Sequence, residues 1–118
     1  MISWSRVEEL REEIGDEDFS EVSQMFLEEV EEVIARLKKN PNPASLEEDL
    51  HSLKGSALNL GFEALSNLCQ DGEMKAARAE FDAISLPDVF ETYARSKAEF
   101  SARVPLTPRP EAGGLDLF

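Results

Sequence analysis

The chain has little cysteine, little histidine and few basic residues, and these shortages exclude several classes of function. Cys69 is the only cysteine in 118 residues, so the chain can form no internal disulfide and no cysteine cluster that binds zinc. Twelve lysines and arginines stand against 25 aspartates and glutamates, which gives a formal net charge of −13. This charge disfavours nucleic acids, whose phosphates require cationic contacts, and it disfavours anionic membrane surfaces.

Long apolar runs and targeting signals are also missing. No stretch approaches the roughly 20 apolar residues of a membrane-spanning helix. The first residues, MISWSRVEELREEIG, have neither the basic segment nor the apolar core of a signal peptide. We therefore expect a cytoplasmic protein whose length fits one domain with a single hydrophobic core.

Apolar residues recur at helical spacing along most of the chain. The predicted helices run over about Ser3 to Ile14, over about Asp16 to Lys39, from near Ser45 to Gly61, from Phe62 onward, and from SLPD to about Arg103. No segment shows the alternating pattern of a strand. Long amphipathic helices with short connectors predict an all-α fold, an antiparallel four-helix bundle with a short extra N-terminal helix, over residues 1–103.

Two local features refine these predictions. Ser45 and Glu48 have the spacing of a capping box at the start of the third helix, and Gly61 is typical of the residue just past a helix end. In the second helix, the predicted core stripe follows steps of three and four residues and comprises Phe19, Val22, Phe26, Val30, Val33 and Leu37.

Residues 104–118, VPLTPRPEAGGLDLF, contain three prolines and two glycines and cannot continue a helix. We interpret them as a disordered tail, since chain ends are usually loose. The alternative is that the terminal LDLF is an apolar docking peptide, and the sequence leaves both interpretations open.

The one histidine, His51, is predicted to lie on a helix face that points away from the core. At about 100° per residue, the apolar residues of the third helix form one stripe and His51 lies nearly opposite, with Gly55 at the centre of the outward face. Glycine inside a helix costs about 1 kcal/mol relative to alanine. Because Gly55 faces away from the bundle, close helix packing does not account for it. We infer that something outside approaches the backbone beside His51.

Lys54 and Leu58 share this outward face with Glu47 and Glu48. An ammonium group three residues from an imidazole suits a phosphoryl group, which carries about two negative charges, whereas the two glutamates would oppose an anion. An exposed Leu58 suits contact with a partner. Taken singly, each residue also has the ordinary interpretation of a solvated surface side chain.

The segment LHSLKGSALNLGFEALSNLCQDGE, residues 50–73, resembles the signature of histidine-containing phosphotransfer domains, four-helix-bundle carriers in two-component phosphorelays. That signature has a histidine followed by x-x-Lys-Gly-(Ser/Ala), an apolar residue with glycine, and a Leu-x-x-Leu-Cys helix with an acid or amide further on. The matching residues are His51, Lys54, Gly55, Ser56, Leu60, Gly61, Leu65, Leu68, Cys69 and Glu73. The helix plan agrees from about Val7 to Phe100.

The resemblance implies that His51 accepts a phosphoryl group on Nε2 from the aspartyl phosphate of one receiver domain and passes it to another. It implies that Lys54 stabilises the phosphorylated state, that Gly55 leaves room for the receiver, and that Glu73 orients the imidazole through its other nitrogen. The remaining residues that we assign to the binding surface are Glu47, Ser56, Leu58, Met25 and Leu27.

The same resemblance implies a carrier and not an enzyme, and no glycine-rich nucleotide loop is present. It needs no cofactor, because Mg²⁺ would belong to the receiver. The implied partners are receiver domains and a hybrid sensor histidine kinase, and we expect a monomer. Two other functions stay open: an unphosphorylated helical adaptor that binds through the same face, and a hydrolase, for which one histidine supplies no evident triad.

Two residues depart from the family pattern. Leu50 stands where a small residue usually precedes the histidine, and we expect it to change packing and not chemistry. Gly72 stands where a larger apolar residue usually precedes the acid. QDGE therefore predicts a loosened or kinked fourth helix, and the exact placement of Glu73 stays open.

Overall fold

Helices make up the regular structure of residues 1–104, the part of the chain that the computed structural model describes. They are α1 (Trp4–Ile14), α2 (Asp16–Lys39), α3 (Pro43–Leu60), α4 (Glu63–Ala77) and α5 (Leu86–Arg103), with a short 3₁₀ turn (Phe81–Ala83) before α5. The predicted all-helical fold is confirmed for these residues. None of the described helices is long and apolar enough to cross a membrane. Apart from Val104, the predicted tail with its LDLF lies outside the described residues.

The two ends of α3 show how local chemistry sets helix boundaries. The helix begins at Pro43, and the side chain of Asn42 caps it by accepting a hydrogen bond of 3.0 Å from the Ala44 amide. The predicted capping box of Ser45 and Glu48 is therefore wrong, because an asparagine followed by proline at the first helical position is a stronger start. At the other end, the prediction for Gly61 is confirmed: it has φ +79° and ends the helix in the left-handed conformation.

Aromatic side chains fill the part of the core where α1, α4 and α5 meet. Phe100 is fully buried, with its ring edge-on to Phe62 at 5.5 Å between centroids and stacked on Trp4 at 6.2 Å. The Arg103 guanidinium lies over the Trp4 ring, 4.0 Å from its centroid. Burying each phenylalanine contributes about 1.5–3 kcal/mol, so these contacts fasten the short first helix to the rest of the fold.

The core face of α2 is rotated from the predicted stripe. Leu27 and Ile34 are buried at its centre, whereas Phe26 and Val33 are only partly buried. The buried hydroxyl residue Ser23 also lies on this face, and a polar residue there hid the true stripe from the apolar pattern. The prediction that Leu27 is an exposed docking residue is wrong, because its side chain is fully buried.

Polar contacts tie α2 to its neighbours. Arg36 forms an ion pair with the buried Asp49 of α3. On the α5 side, Glu31 accepts hydrogen bonds from the Tyr93 hydroxyl, at 2.6 Å, and from the ammonium group of Lys97. These contacts place α2 between α3 and α5 and leave the outer faces of α3 and α4 clear for His51.

Candidate functional site

His51 lies on the outer face of α3, as its position in the helix predicts. Its side chain is 67% exposed, whereas Leu50, Leu53 and Ala57 on the opposite side of the same helix are fully buried. This difference follows from the helical period, which places Leu50, Leu53 and Ala57 on the side of the helix opposite His51. The imidazole is therefore open to a visiting molecule.

The backbone beside the imidazole is bare at Gly55. A Cβ atom placed there would meet no other atom within 4 Å, so no neighbouring helix requires the glycine. The interpretation that Gly55 is not a packing glycine is confirmed. The helix continues through it, and the Asn59 side chain donates a hydrogen bond of 3.2 Å to the Gly55 carbonyl. A visiting surface can approach the helix here more closely than at any residue with a side chain.

Glu73 of α4 holds both His51 and Lys54 with one carboxylate. Its Oε2 lies 2.8 Å from Nδ1 of His51, and its Oε1 lies 2.9 Å from Nζ of Lys54. An ionised carboxylate can only accept hydrogen bonds, so Nδ1 must carry the proton in this contact. In the neutral ring, the lone pair is then on Nε2, the nitrogen that Glu73 does not contact. The imidazole thus presents its nucleophilic nitrogen away from the protein.

The surroundings of Glu73 favour its charged form. The hydrogen bond from Lys54 is the largest influence and lowers the pKa of the carboxyl; burial opposes this, and the contact with His51 adds to the lowering. The Glu73 side chain is only 19% exposed and that of Lys54 only 22%. A charged pair at this depth is screened less than one in open solvent. Lys54 therefore lies beside the imidazole as predicted, but its charge is already paired with Glu73.

The fourth helix continues through Gly72 without a break, so the loosening that QDGE predicts is wrong. Helix α4 runs from Glu63 to Ala77, and Gly72 is buried within it. A Cβ atom at Gly72 would lie 2.9 Å from Cδ1 of Leu50, which means that the leucine side chain occupies the space that a larger residue would need. Glu73 consequently keeps its helical position facing His51.

The family model of the Hpt domain matches residues 21–98, a range that contains His51, Lys54, Gly55 and Glu73. The chain belongs to the Hpt domain family. Hpt domains are histidine phosphotransfer carriers of two-component phosphorelays rather than kinases, and they interact with response-regulator receiver domains. No curated protein and no solved structure shows a significant match to this chain.

The surface around His51 is uneven in charge and in polarity. Toward the N-terminal end of α3, Glu47 and Glu48 line an open depression together with His51 and Glu73. Toward the other end, Leu58 is 55% exposed and Ser56 is half-buried. An approaching anion therefore meets carboxylates on one side and the bare, partly apolar surface on the other.

Among the remaining residues assigned to the binding surface, Met25 of α2 is 39% exposed, which leaves it available for contact, whereas Leu27 is buried and does not belong to this surface. Cys69, a matching residue of the family signature, is also buried. Burial raises the pKa of its thiol to about 12, so Cys69 packs in the core and offers no thiolate for chemistry.

Two contacts of the site were not predicted from the sequence. The ion pair of Lys54 with Glu73 was not predicted, although the two residues were each singled out, because their separation across two helices gives no local signal. The fit of Leu50 against Gly72 was also missed, although the two departures from the family pattern each precede a site residue. The occurrence of both departures immediately before a site residue was the signal that could have revealed this contact.

Proposed function

We propose that His51 is the phosphoacceptor of a phosphorelay. Nε2 attacks the phosphorus of an aspartyl phosphate on a receiver domain, the bond from phosphorus to the aspartate oxygen breaks, and the aspartate leaves as a carboxylate. The reverse attack, by the aspartate of a second receiver, releases the phosphoryl group again. The single observation that carries this proposal is that Glu73 contacts Nδ1 of His51 while the His51 side chain is 67% exposed.

Glu73 has an electrostatic role in this proposal. When Nε2 gives its lone pair to phosphorus, the ring becomes cationic with its proton still on Nδ1. A carboxylate 2.8 Å from Nδ1 stabilises that charge, and it stabilises the transition state to the extent that the charge has developed. The contact also fixes the tautomer that exposes the nucleophilic nitrogen.

Lys54 supplies the local positive charge for the phosphoryl group. Its ammonium is held beside the imidazole by Oε1 of Glu73, at 2.9 Å. Holding the side chain in place lowers the entropy lost when it turns toward a phosphoryl group on Nε2. We propose that Lys54 exchanges part of its contact with Glu73 for the phosphoryl oxygens and so lengthens the life of the phosphorylated protein.

The receiver would dock over Gly55, with Leu58, Ser56, Met25 and Glu47 at the edges of the contact. Mg²⁺ would come with the acidic pocket of the receiver, and we propose that this chain holds no cofactor of its own. A hybrid sensor histidine kinase that carries a receiver domain would be a partner of the same kind. We propose that the chain acts as a monomer.

We also propose that α2 to α5 form the antiparallel four-helix bundle of the family. Two contacts support opposite directions for α2 and α5. Lys38, near the end of α2, lies over the ring of Phe90 near the start of α5, 5.4 Å from its centroid. Phe19, near the start of α2, packs against Phe100 near the end of α5, at 6.5 Å between centroids.

The test is transfer of labelled phosphate from a phosphorylated receiver domain to this protein. We expect label that is labile to acid and stable to alkali, as a phosphoramidate is, and we expect none on the His51→Gln variant. Label that persists in this variant would contradict the assignment of His51. If the receiver binds equally well to both proteins and no label transfers, the adaptor function is the better description.

A further inference from the structure

Leu50 and Gly72 each precede a residue of the site and contact one another across α3 and α4. The Leu50 side chain is fully buried. A Cβ atom on Gly72 would lie 2.9 Å from its Cδ1 and 3.9 Å from its Cδ2. Leu50 therefore rests directly on the α4 backbone, at the residue next to Glu73.

The close approach at this point affects the neighbouring hydrogen bond. Leu50 and His51 are adjacent on one helix, and Gly72 and Glu73 are adjacent on the other, so the spacing of the two backbones sets both contacts together. A Cβ atom at residue 72 would need about 0.5 Å more room to reach an ordinary contact distance of 3.4 Å from Leu50. The atom that it would meet is the end of the buried Leu50 side chain, so either this side chain turns within the close-packed core or the two helices separate. To the extent that the helices separate, the 2.8 Å contact of His51 with Glu73 lengthens toward its geometric limit.

The sizes of the two residues are also complementary. Leu50 is a large residue and Gly72 has no side chain. Protein cores tolerate an exchange of large and small residues across a contact when the packed volume is preserved. Leu50 thus fills the space that Gly72 leaves open.

We propose that Leu50 and Gly72 are positioning residues, a large and small pair that sets the spacing of α3 and α4 so that the Glu73 carboxylate reaches Nδ1 of His51. Neither residue touches the phosphoryl group. They act through the hydrogen bond that fixes the imidazole tautomer. The effect on transfer rests on the proposed function, but the effect on the tautomer does not.

The experiment uses the variants Gly72→Ala, Leu50→Val and the exchange Leu50→Ala with Gly72→Leu. The first readout is the ¹⁵N spectrum of the His51 ring in the unphosphorylated protein, at a pH where the ring is neutral, because it reports which nitrogen holds the proton. The second readout is the rate of transfer from a phosphorylated receiver. Leu37→Ala is the matched control, since Leu37 is also a core leucine, 1% exposed, and its truncation lowers stability through a cavity.

We expect Gly72→Ala to move His51 from one tautomer to a mixture and to slow transfer by about tenfold or more, as displacements of reacting groups do. The exchange variant should restore the wild-type tautomer and the wild-type transfer rate. Leu37→Ala should leave the tautomer and the rate unchanged. If Gly72→Ala does not fold, Leu50→Val tests the pair from the other side, because it removes volume from the same contact, and we expect a smaller change of the tautomer.

Two results would overturn the proposal: a folded Gly72→Ala or Leu50→Val protein with the wild-type tautomer, or an equal tautomer change in Leu37→Ala. If the wild-type protein accepts no phosphoryl group, the proposed function fails, and the ring spectra still decide the positioning role.

Discussion

Replacing Gly55 by alanine should make the protein more stable. The residue lies inside α3, and an added Cβ would meet nothing within 4 Å, so no steric cost offsets the gain in helix propensity. That gain is about 1 kcal/mol, which corresponds to a rise in Tm of about 4–8 °C for a domain of this size. The measurement is thermal unfolding followed by circular dichroism, together with denaturant unfolding at one temperature.

A longer side chain at the same position separates stability from function. Gly55→Gln should also fold at least as stably as the wild type, because glutamine is a good helix former. It should slow phosphotransfer, since its side chain would stand one turn from His51, where we propose that the receiver docks. The assay is single-turnover transfer from a phosphorylated receiver domain.

Gly61→Ala is the matched control, because there the glycine is required. Gly61 has φ +79°, and an added Cβ would lie 2.7 Å from the Ser3 carbonyl oxygen, so we expect a loss of about 1–3 kcal/mol. The reasoning about Gly55 is refuted if Gly55→Ala lowers the Tm. It is also refuted if Gly55→Gln unfolds easily and still transfers at the wild-type rate.

The other predictions concern the ion pair and the core. Lys54→Ala should shorten the lifetime of the phosphorylated protein, measured as the loss of label over time, and Lys54→Arg should largely preserve that lifetime. Equal lifetimes in the wild type and both variants would contradict a stabilising role for the positive charge of Lys54. The lowered pKa of Glu73 gives stability that is present above the ordinary carboxyl pKa and lost as pH falls through the lowered value. The difference in unfolding free energy between wild type and Glu73→Gln should therefore narrow as the pH falls below the ordinary carboxyl pKa of 4.5. A difference that widens there in urea unfolding contradicts this. Leu27→Ala should lower the free energy of unfolding by about 2–5 kcal/mol, and Met25→Ala should lower it by less than about 0.5 kcal/mol. Similar losses in the two variants would contradict the assignment of Leu27, and not Met25, to the buried face of α2.

Features that depend on one helix could be predicted from the sequence. The outward direction of His51 and the openness at Gly55 follow from the helical period alone, and the end of α3 follows from Gly61. The start of α3 was missed because two local signals competed, and the cap at Asn42 prevailed over the one at Ser45.

Features that depend on two helices could not be predicted in the same way. The stripe on α2 was misplaced because Ser23 lies on the buried face, where a serine gives no apolar signal. The place for a glycine at residue 72 of α4 depends on the bulk of Leu50 in another helix. The link from Lys54 to Glu73 depends likewise on the packing of α3 against α4. Such contacts are set by tertiary packing, which a pattern along one chain segment does not contain.

The most direct test of the central claim is to determine which ring nitrogen of His51 carries the phosphoryl group. The protein would be labelled with ¹⁵N in histidine, phosphorylated by a receiver domain, and studied by ¹⁵N and ³¹P spectroscopy under alkaline conditions. The contact of Glu73 with Nδ1 predicts a single product with phosphorus bonded to Nε2. Phosphorus on Nδ1, or on any residue other than His51, would contradict the account.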